Sequence, residues 1–395
     1  MSLKSTLNAF NRVKADISIV QLLNEEALNT VLFVGTEAEH NLKAWSGAVT
    51  SSEIETEYTA GTNLSKKIEL SLKQKTALGA SILPDKFFAC AKLLGADRTA
   101  LTEVEKTAFR DWLELTIKNV VVDQGKRFCC VVFDNLEGII DDDDFLIELC
   151  GVIADWGCVA FIQLDDKDNI TDSMRADLTN TYFIKSHKFA EDNFELGADA
   201  ALAGRVVYLG AGYVDGVAKE LVGITADKAS IVTGDGGDLT ATEAQEWIDA
   251  GVNLYTQTTE LYNETTGISD LDDENFTNTW ALLKVASDLS SDLSQLRHQR
   301  DKMSTGLADQ ATVRATIVNR LAILKRQQYD AVTNSNIDGI IYDYQVANQD
   351  LDYSLESNKG KFAFTIRISL SQDAKWFELG IVGYKDGRLF EVEGV

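Results

Sequence analysis

The side chains that could carry acid–base chemistry are few, because the 395-residue chain has only three histidines. His40 lies in a polar stretch, His187 follows an apolar run, and His298 lies in the basic segment LRHQRDK. A Ser-His-Asp site needs a histidine held beside a serine and oriented by a carboxylate. The sequence has no G-x-S-x-G turn to present such a serine, and its histidines lack metal-ligand spacing. We therefore predict no catalytic residue, and we interpret each histidine as a surface or hydrogen-bonded residue.

An acidic run, DDDDF from Asp141 to Phe145, is the strongest candidate for a cation site. Four adjacent carboxylates repel one another, and a cation would relieve that repulsion. An EF-hand calcium loop needs glycine at its sixth position, where this chain has Leu146. Acidic residues also favour the positive end of a helix dipole. We interpret the run as the start of a helix and predict no metal site.

Two glycine-rich segments fail as ligand-binding motifs. GDGGD, Gly234–Asp238, resembles one repeat of a calcium-binding solenoid, but a solenoid needs several repeats. LGAGYVDG, Leu209–Gly216, contains G-x-G without the third glycine of a dinucleotide fingerprint. We predict no nucleotide site and no cofactor.

The composition is that of a folded protein of two or three domains. No apolar stretch approaches the roughly 18–20 residues that span a bilayer, and the first residues lack the apolar core of a secretion signal. The five cysteines form no C-x-x-C pair, so we expect reduced, buried thiols and a chain that folds in cytoplasm.

The net charge of −25 is unevenly distributed. Residues 134–199 contain 17 acidic and 4 basic side chains, whereas residues 297–326 contain 7 basic and 2 acidic ones. The excess of negative charge disfavours nucleic acid as a partner. Two interpretations stay open: ordinary solvated surfaces, or complementary patches between copies or with a partner. In the second case, raising the ionic strength should weaken association.

Strands and helices alternate through the first half of the chain. Five segments read as strands: NTVLFVGT, RFCCVVFD, CVAFIQLDD, NTYFIKSH and GRVVYLG. Pro84 fits the first turn of a helix. LTEVEKTAFRDWLELTIKNV has a capping-box start at Thr102 and an apolar face that includes Val104, Phe109 and Leu113. Alternation of this kind predicts an α/β unit with a largely parallel sheet.

The second half has a different pattern. LTATEAQEWIDAGVNLYTQ predicts a helix, a stop at Gly251 and a strand, and helical periodicity extends from Asn278 to about Val332. Two strands and a terminal strand follow, in KFAFTIRISLSQDAKWFELGIVGY and GRLFEVEGV. A terminal strand needs a hydrogen-bonding partner, which is either its own sheet or another molecule.

This order of elements resembles the contractile tail sheath proteins of bacteriophages and related injection machines. In that family, an L…aGvN segment ends a subtilisin-like α/β domain, and an early "fvG" strand is typical. The matching residues here are Phe33, Val34, Gly35, Leu239, Ala250, Gly251, Val252 and Asn253. The segment Ala201–Ile224 is also similar to a family segment.

The resemblance implies a structural polymer rather than an enzyme. It implies an N-terminal arm at 1–28, an α/β sheath domain at 29–258, an α+β domain at 259–386 and a strand arm at 387–395. It also implies that the arms add strands to sheets of neighbouring subunits. The implied partners are other copies, the tail tube protein, and baseplate and tail terminator proteins, without nucleic acid or membrane insertion. The implied location is the virion tail, after assembly in the host cytoplasm.

Two sets of residues are expected to make these contacts. The subunit contacts are Ile17, Ile19, Gln21, Leu23, Phe364, Ile366, Ile368, Phe377, Leu379, Ile381, Arg388, Leu389, Phe390, Glu391 and Val392. The charge contacts to the tube or to other subunits are Arg297, Arg300, Lys302, Arg314, Arg320, Lys325 and Arg326. The alternatives are a bacterial injection machine, a hydrolase of subtilisin fold and an acidic surface-array protein.

Overall fold

The apolar runs of the first half form the strands of one seven-stranded sheet. The computed structural model describes residues 30–74, 85–124, 129–178, 180–185, 197–209, 241–253, 276–298, 307–326, 328–330, 335–337, 339–349, 361–370, 376–384 and 391–394. The sheet strands are β1 (Val31–Gly35), β2 (His40–Gly47), β3 (Asp85–Ala91), β4 (Cys130–Phe133), β5 (Val159–Leu164), β6 (Thr181–Lys185) and β7 (Val252–Asn253). Their spatial order is β2-β3-β1-β4-β5-β6-β7. All neighbours are parallel except the edge pair β2–β3.

Helices cover both faces of this sheet, which is why its central strands are continuous apolar runs. The helices of this half are α1 (Ser51–Tyr58), α2 (Asn63–Lys73), α3 (Glu103–Lys118), α4 (Asp143–Asp155), α5 (Asp172–Asp177), α6 (Ala198–Leu209) and α7 (Ala241–Asp249). Alternate residues of β1 enter different cores. Phe33 packs with α1, α2 and α6 in the first core, whereas Val34 packs with α3, α4 and α7 in the second core.

Local sequence signals set the helix ends. The Thr102 side chain accepts a hydrogen bond from the Glu105 N–H, and the Glu105 carboxylate accepts one from the Thr102 N–H, so the predicted capping box is confirmed. The predicted helix start in the acidic run is also confirmed, because Asp142 caps α4 by accepting from the Phe145 N–H. After α4, Gly157 adopts φ +71°, a conformation that glycine tolerates best.

Three local predictions are wrong. Residues 204–209, expected as a strand, belong to α6, and the expected helix after Pro84 is the strand β3. Val104 is 78% exposed and lies off the buried face of α3, whereas Phe109 and Leu113 lie on it.

The C-terminal half is a helical pair packed on a small antiparallel sheet. Its elements are α8 (Phe276–His298), α9 (Leu307–Leu324), β8 (Gln328–Asp330), β9 (Ser335–Ile337), β10 (Ile341–Gln349), β11 (Lys361–Leu370), β12 (Trp376–Tyr384) and β13 (Glu391–Gly394). The sheet order is β10-β11-β12-β13, and β8 pairs with β9. Every residue from 285 to 291 of α8 is buried. The first core continues from the seven-stranded sheet through α8 and α9 to β11.

The predicted α/β class with a mainly parallel sheet is therefore confirmed. In the part of the chain that the structure describes, no helix has both the length and the apolar character that crossing a membrane requires.

Candidate functional site

A buried polar cluster lies at the carboxyl ends of β1 and β4. The chain runs from β1 to β3 on one side of β1 and then returns to β4 on the other side. Open α/β sheets place their ligand sites in the crevice at such a switch point. The cluster consists of Thr36 after β1, Asp134 after β4, Lys67 on α2 and Asp199 on α6.

Asp134 joins the ends of the two strands. Its Oδ1 accepts hydrogen bonds from the Thr36 N–H at 2.9 Å, the Thr36 hydroxyl at 2.7 Å and the Asn135 N–H at 2.7 Å. Burial raises the pKa of Asp134, while the hydrogen bond from the Thr36 hydroxyl opposes that shift. The carboxyl group therefore holds two adjacent strand ends in register.

Lys67 and Asp199 form a buried ion pair between the two helices beside these strands. Lys67 Nζ donates to Asp199 Oδ2 at 2.7 Å and to the Phe133 carbonyl oxygen at 2.6 Å. The two side chains are 3% and 0% exposed, so the pair is shielded from water. Burial raises the pKa of Asp199, and the positive charge of Lys67 opposes the shift. The pair ties α2 and α6 to the end of β4.

The loops beside the cluster also make contacts within the chain. Asn135 donates to the Glu37 carboxylate at 2.8 Å. Arg98 donates to the carbonyl oxygens of Asn135 and Glu137. Gly138 adopts φ +75°, and a Cβ there would lie 2.1 Å from the Arg98 carbonyl oxygen. These contacts fasten the loops over the switch point.

The cluster therefore has a structural role in this geometry. The Thr36 hydroxyl donates to Asp134, and Lys67 donates to Asp199 and to a backbone carbonyl oxygen. His40, whose side chain the structure describes, packs edge-on against Tyr58. His187 lies outside the described residues, and the His298 side chain is not described. This arrangement does not assemble a Ser-His-Asp site from the described side chains.

Sequence reasoning missed Lys67 and Asp199, although both carry a readable signal. Lys67 lies between Leu64 and Ile68 on the buried face of α2, where a charged residue needs a partner. Asp199 interrupts the otherwise apolar segment GADAALAG. The separation of 132 residues between them hides which partner each has.

The second candidate site is the C-terminal sheet, which was expected to accept strands from neighbouring subunits. β11 is a central strand, paired with β10 on one side and with β12 on the other. Phe364, Ile366 and Ile368 are buried in the first core. Within the described single chain their side chains pack in the core, and β11 is paired along both sides. The expectation that these three residues make subunit contacts stays a prediction.

The terminal strand lies on an edge of this sheet. β13 pairs antiparallel with β12, with Leu379 opposite Gly394, Ile381 opposite Val392 and Val382 opposite Glu391. Phe377 lies on β12, opposite Ile368 of β11. Two groups of expected contact residues lie outside the described residues: Ile17, Ile19, Gln21 and Leu23, and Arg388, Leu389 and Phe390.

The opposite edge of the sheet is β10. Its Tyr342 is 68% exposed, and Gln345, Ala347 and Asn348 are also exposed. The Val346 carbonyl oxygen accepts a hydrogen bond from Arg314. Within the described residues, β11 is the strand with which β10 pairs, so β10 and β13 form the two edges of the sheet.

Several of the described basic residues of the second half form hydrogen bonds within their own chain. Arg320 donates to both carboxylate oxygens of Asp292, at 2.7 and 2.6 Å, and so joins α9 to α8. Lys325 donates to Asp343 at 2.7 Å. Carboxylates of the same chain bind both residues, and their expected role in charge contacts between molecules stays a prediction. Arg326 is exposed, the Arg297 side chain is not described, and Arg300 and Lys302 lie outside the described residues.

Some acidic residues of the 134–199 region are also paired within the chain. Lys106 binds Asp142 at 2.5 Å, and Arg110 binds Glu148 at 3.1 Å. The hydrogen bond from Lys106 lowers the pKa of Asp142. Among the described side chains, no three His, Cys, Asp or Glu residues are grouped to hold a metal ion. GDGGD and nearly all of LGAGYVDG lie outside the described residues.

No protein-family model matches the chain, and no curated protein matches its sequence.

Proposed function

We propose that the chain is the structural subunit of a contractile sheath, in which many copies stack as rings around the tail tube of a bacteriophage. The sheath of a bacterial contractile injection system is the alternative within this class. An α/β body with a mainly parallel sheet and a C-terminal antiparallel sheet support the proposal. The subtilisin-like identity of the body and the location in a virion tail are parts of the proposal.

The observation that carries the proposal is the position of β13 on the edge of the C-terminal sheet. Four residues of β13 pair with β12 through the backbone. A backbone ladder does not depend on which copy supplies the strand, so an identical strand from a neighbour can form the same register. Tyr384 and Glu391 are seven residues apart, so a fully extended connection spans at most about 25 Å, which limits how far away the neighbouring sheet can lie.

The exchanged strand acts as a tether between copies. Each hydrogen bond of the ladder contributes only about 0.5–1.5 kcal/mol net, so a four-residue strand supplies a few kcal/mol. The work of contraction comes from subunits that repack cooperatively and acquire further interface, while the strands preserve connectivity. The extended lattice is the higher-energy state, and a baseplate signal releases it.

Imaging of the purified chain tests the polymer. We expect rings or hollow striated tubes in negative-stain electron micrographs. Deletion of residues 388–395 should leave a folded monomer, because β10, β11 and the first core remain, but it should abolish the tubes. A truncated chain that is folded by circular dichroism and still forms normal tubes would contradict the role of the strand.

A cysteine-mixing experiment tests the exchange itself. Ile381→Cys and Val392→Cys place thiols at opposed positions of the β12–β13 register. The native cysteines among the described residues are buried, so brief oxidation favours the introduced thiols. When the two single variants are mixed during assembly, exchange predicts a disulfide-linked heterodimer. A Glu378→Cys and Val392→Cys mixture, which is out of register, is the matched control. Cross-linking confined to monomers of the double variant Ile381→Cys/Val392→Cys would refute exchange.

A further inference from the structure

Two cysteines face each other at the amino ends of neighbouring central strands. Cys129 and Cys158 immediately precede β4 and β5, and their Sγ atoms lie 3.3 Å apart. The parallel register pairs Cys130 with Val159, so Cys129 lies opposite Cys158. The Val159 N–H donates to the Cys129 carbonyl oxygen at 3.0 Å, which continues the ladder to this level.

This placement meets the geometric requirement for a disulfide. Neighbouring strands lie about 4.8 Å apart, within the range of about 4.4–6.8 Å that disulfides span between Cα atoms. Both side chains belong to the second core, whereas the adjacent Cys130 points to the opposite face and belongs to the first core. Only a small movement of the two sulfur atoms separates the thiol pair from a bond, and Cys130 cannot compete from the other face.

We propose that Cys129 and Cys158 form a redox modification site, which closes to an intramolecular disulfide when the chain meets a peroxide. Hydrogen peroxide is small enough to reach a buried sulfur during local opening of the strand ends. One sulfur attacks the peroxide, the O–O bond breaks, and a sulfenic acid and one water form. The second sulfur then attacks the sulfenic sulfur, an S–S bond forms, the S–O bond breaks, and a second water leaves. Both thiol protons end in water.

The environment of Cys129 and Cys158 affects both the reduced thiols and the oxidised disulfide. Both thiols are fully buried, and the hydrogen bond with Cys158, together with burial, raises the pKa of Cys129. The raised pKa keeps Cys129 protonated, so its thiol is stable in a reducing compartment. The bond closes a loop that contains α4, and it ties two central strands of the sheet together. The oxidised chain should resist unfolding more strongly than the reduced chain does.

To test this proposal, the intact chain is treated with hydrogen peroxide and then unfolded, and its remaining thiols are alkylated. Mass spectrometry then gives the mass of the chain and its non-reduced peptide map. We expect two of the five thiols to be lost together, a cross-link that contains Cys158, and a higher urea midpoint that a reductant reverses. Cys130→Ala should keep the cross-link, because Cys129 is untouched. Cys129→Ala should abolish it and leave Cys158 open to alkylation or to oxygen addition.

The peptide map of the peroxide-treated wild-type chain is sufficient to refute the proposal. Retention of five alkylatable thiols, or addition of oxygen to Cys129 without a cross-link, would refute it. A cross-link that survives Cys129→Ala and disappears in Cys130→Ala would show that Cys130, on the opposite face of the sheet, forms the bond. That result would also refute the proposal.

Discussion

Replacement of Lys67 by methionine should strongly destabilise the fold without altering its surface. The substitution removes a positive charge that lies 2.7 Å from Asp199 Oδ2 and a donor that lies 2.6 Å from the Phe133 carbonyl oxygen. It leaves a carboxylate with 0% exposure beside an apolar side chain. Loss of one partner from a buried ion pair costs about 3–5 kcal/mol, a large share of the roughly 5–15 kcal/mol that stabilises a domain.

The loss of stability caused by Lys67→Met should become smaller as the pH falls. The folded chain keeps the Asp199 proton to higher pH than the unfolded chain does, because burial raises the pKa of Asp199. Ionisation of Asp199 therefore lowers the free energy of unfolding. The loss is complete above the folded-state pKa of Asp199 and absent below its unfolded-state pKa. Without the positive charge of Lys67, the pKa of Asp199 rises further. The deficit of Lys67→Met should be largest near pH 7 and should shrink as the pH approaches about 4.

Urea unfolding followed by tryptophan fluorescence measures both effects, provided that the m-value is unchanged. Lys66→Met, one residue away on α2 and only half-buried, is the control and should cost under about 1 kcal/mol. Lys67→Met/Asp199→Asn should recover most of the loss, since no buried charge is left unpaired. A Lys67→Met deficit no larger than that of Lys66→Met, or one that does not shrink on acidification, would refute this reasoning.

Two further substitutions, each with a control variant, test the packing between helices. Gly204→Ala should cost about 1–3 kcal/mol, because the added Cβ would lie 2.4 Å from the Ser71 carbonyl oxygen where α6 crosses α2. Gly151→Ala, whose Cβ meets nothing within 4 Å, should instead stabilise α4 by about 0.5–1 kcal/mol, and equal urea midpoints for both variants would contradict this. Arg320→Ala should cost about 1–2 kcal/mol through loss of the two hydrogen bonds to Asp292. The exposed Arg326→Ala should change the midpoint by less than about 0.5 kcal/mol.

The parts of the fold that sequence predicts are those that local physics decides. β4 is apolar throughout, and β5 is apolar except for Gln163, because both faces of these strands are covered. Asp142, Asp143 and Asp144 start α4 because a helix dipole favours acidic residues there. The sequence at 204–209 favours a strand because it contains two valines and a tyrosine, but the structure forms a helix there. The alanine-rich turn before them starts a helix, and burial against α2 decides the outcome.

The contacts that sequence could not predict join distant segments. Asp134 meets Thr36 across 98 residues, and Asp199 meets Lys67 across 132. The order of the strands brings these segments together, and no local pattern encodes which buried charge finds which partner. The same reason explains why the sequence did not reveal that Phe364, Ile366 and Ile368 pack in the first core. Alternation identifies the apolar face of β11, but it does not tell whether that face is covered by the same chain or by a neighbouring molecule.

The internal pairing of the basic residues changes the expected salt dependence of assembly. Complementary patches between copies would make association weaker as ionic strength rises. Arg320 and Lys325 are bound to Asp292 and Asp343 of their own chain, so they contribute little to such patches. Copies that each carry a net charge of −25 repel one another instead.

Salt should therefore favour polymers of this chain, because it screens that repulsion while backbone ladders and apolar contacts are little affected. Sedimentation of assembled chain between about 0.05 and 0.5 M NaCl, across which the Debye length falls several-fold, should show a critical concentration that decreases with salt. The double variant Arg320→Ala/Lys325→Ala should follow the same trend. A critical concentration that rises with salt in the wild-type chain, and loses that rise in the variant, would restore complementary charge as the force that holds the copies together.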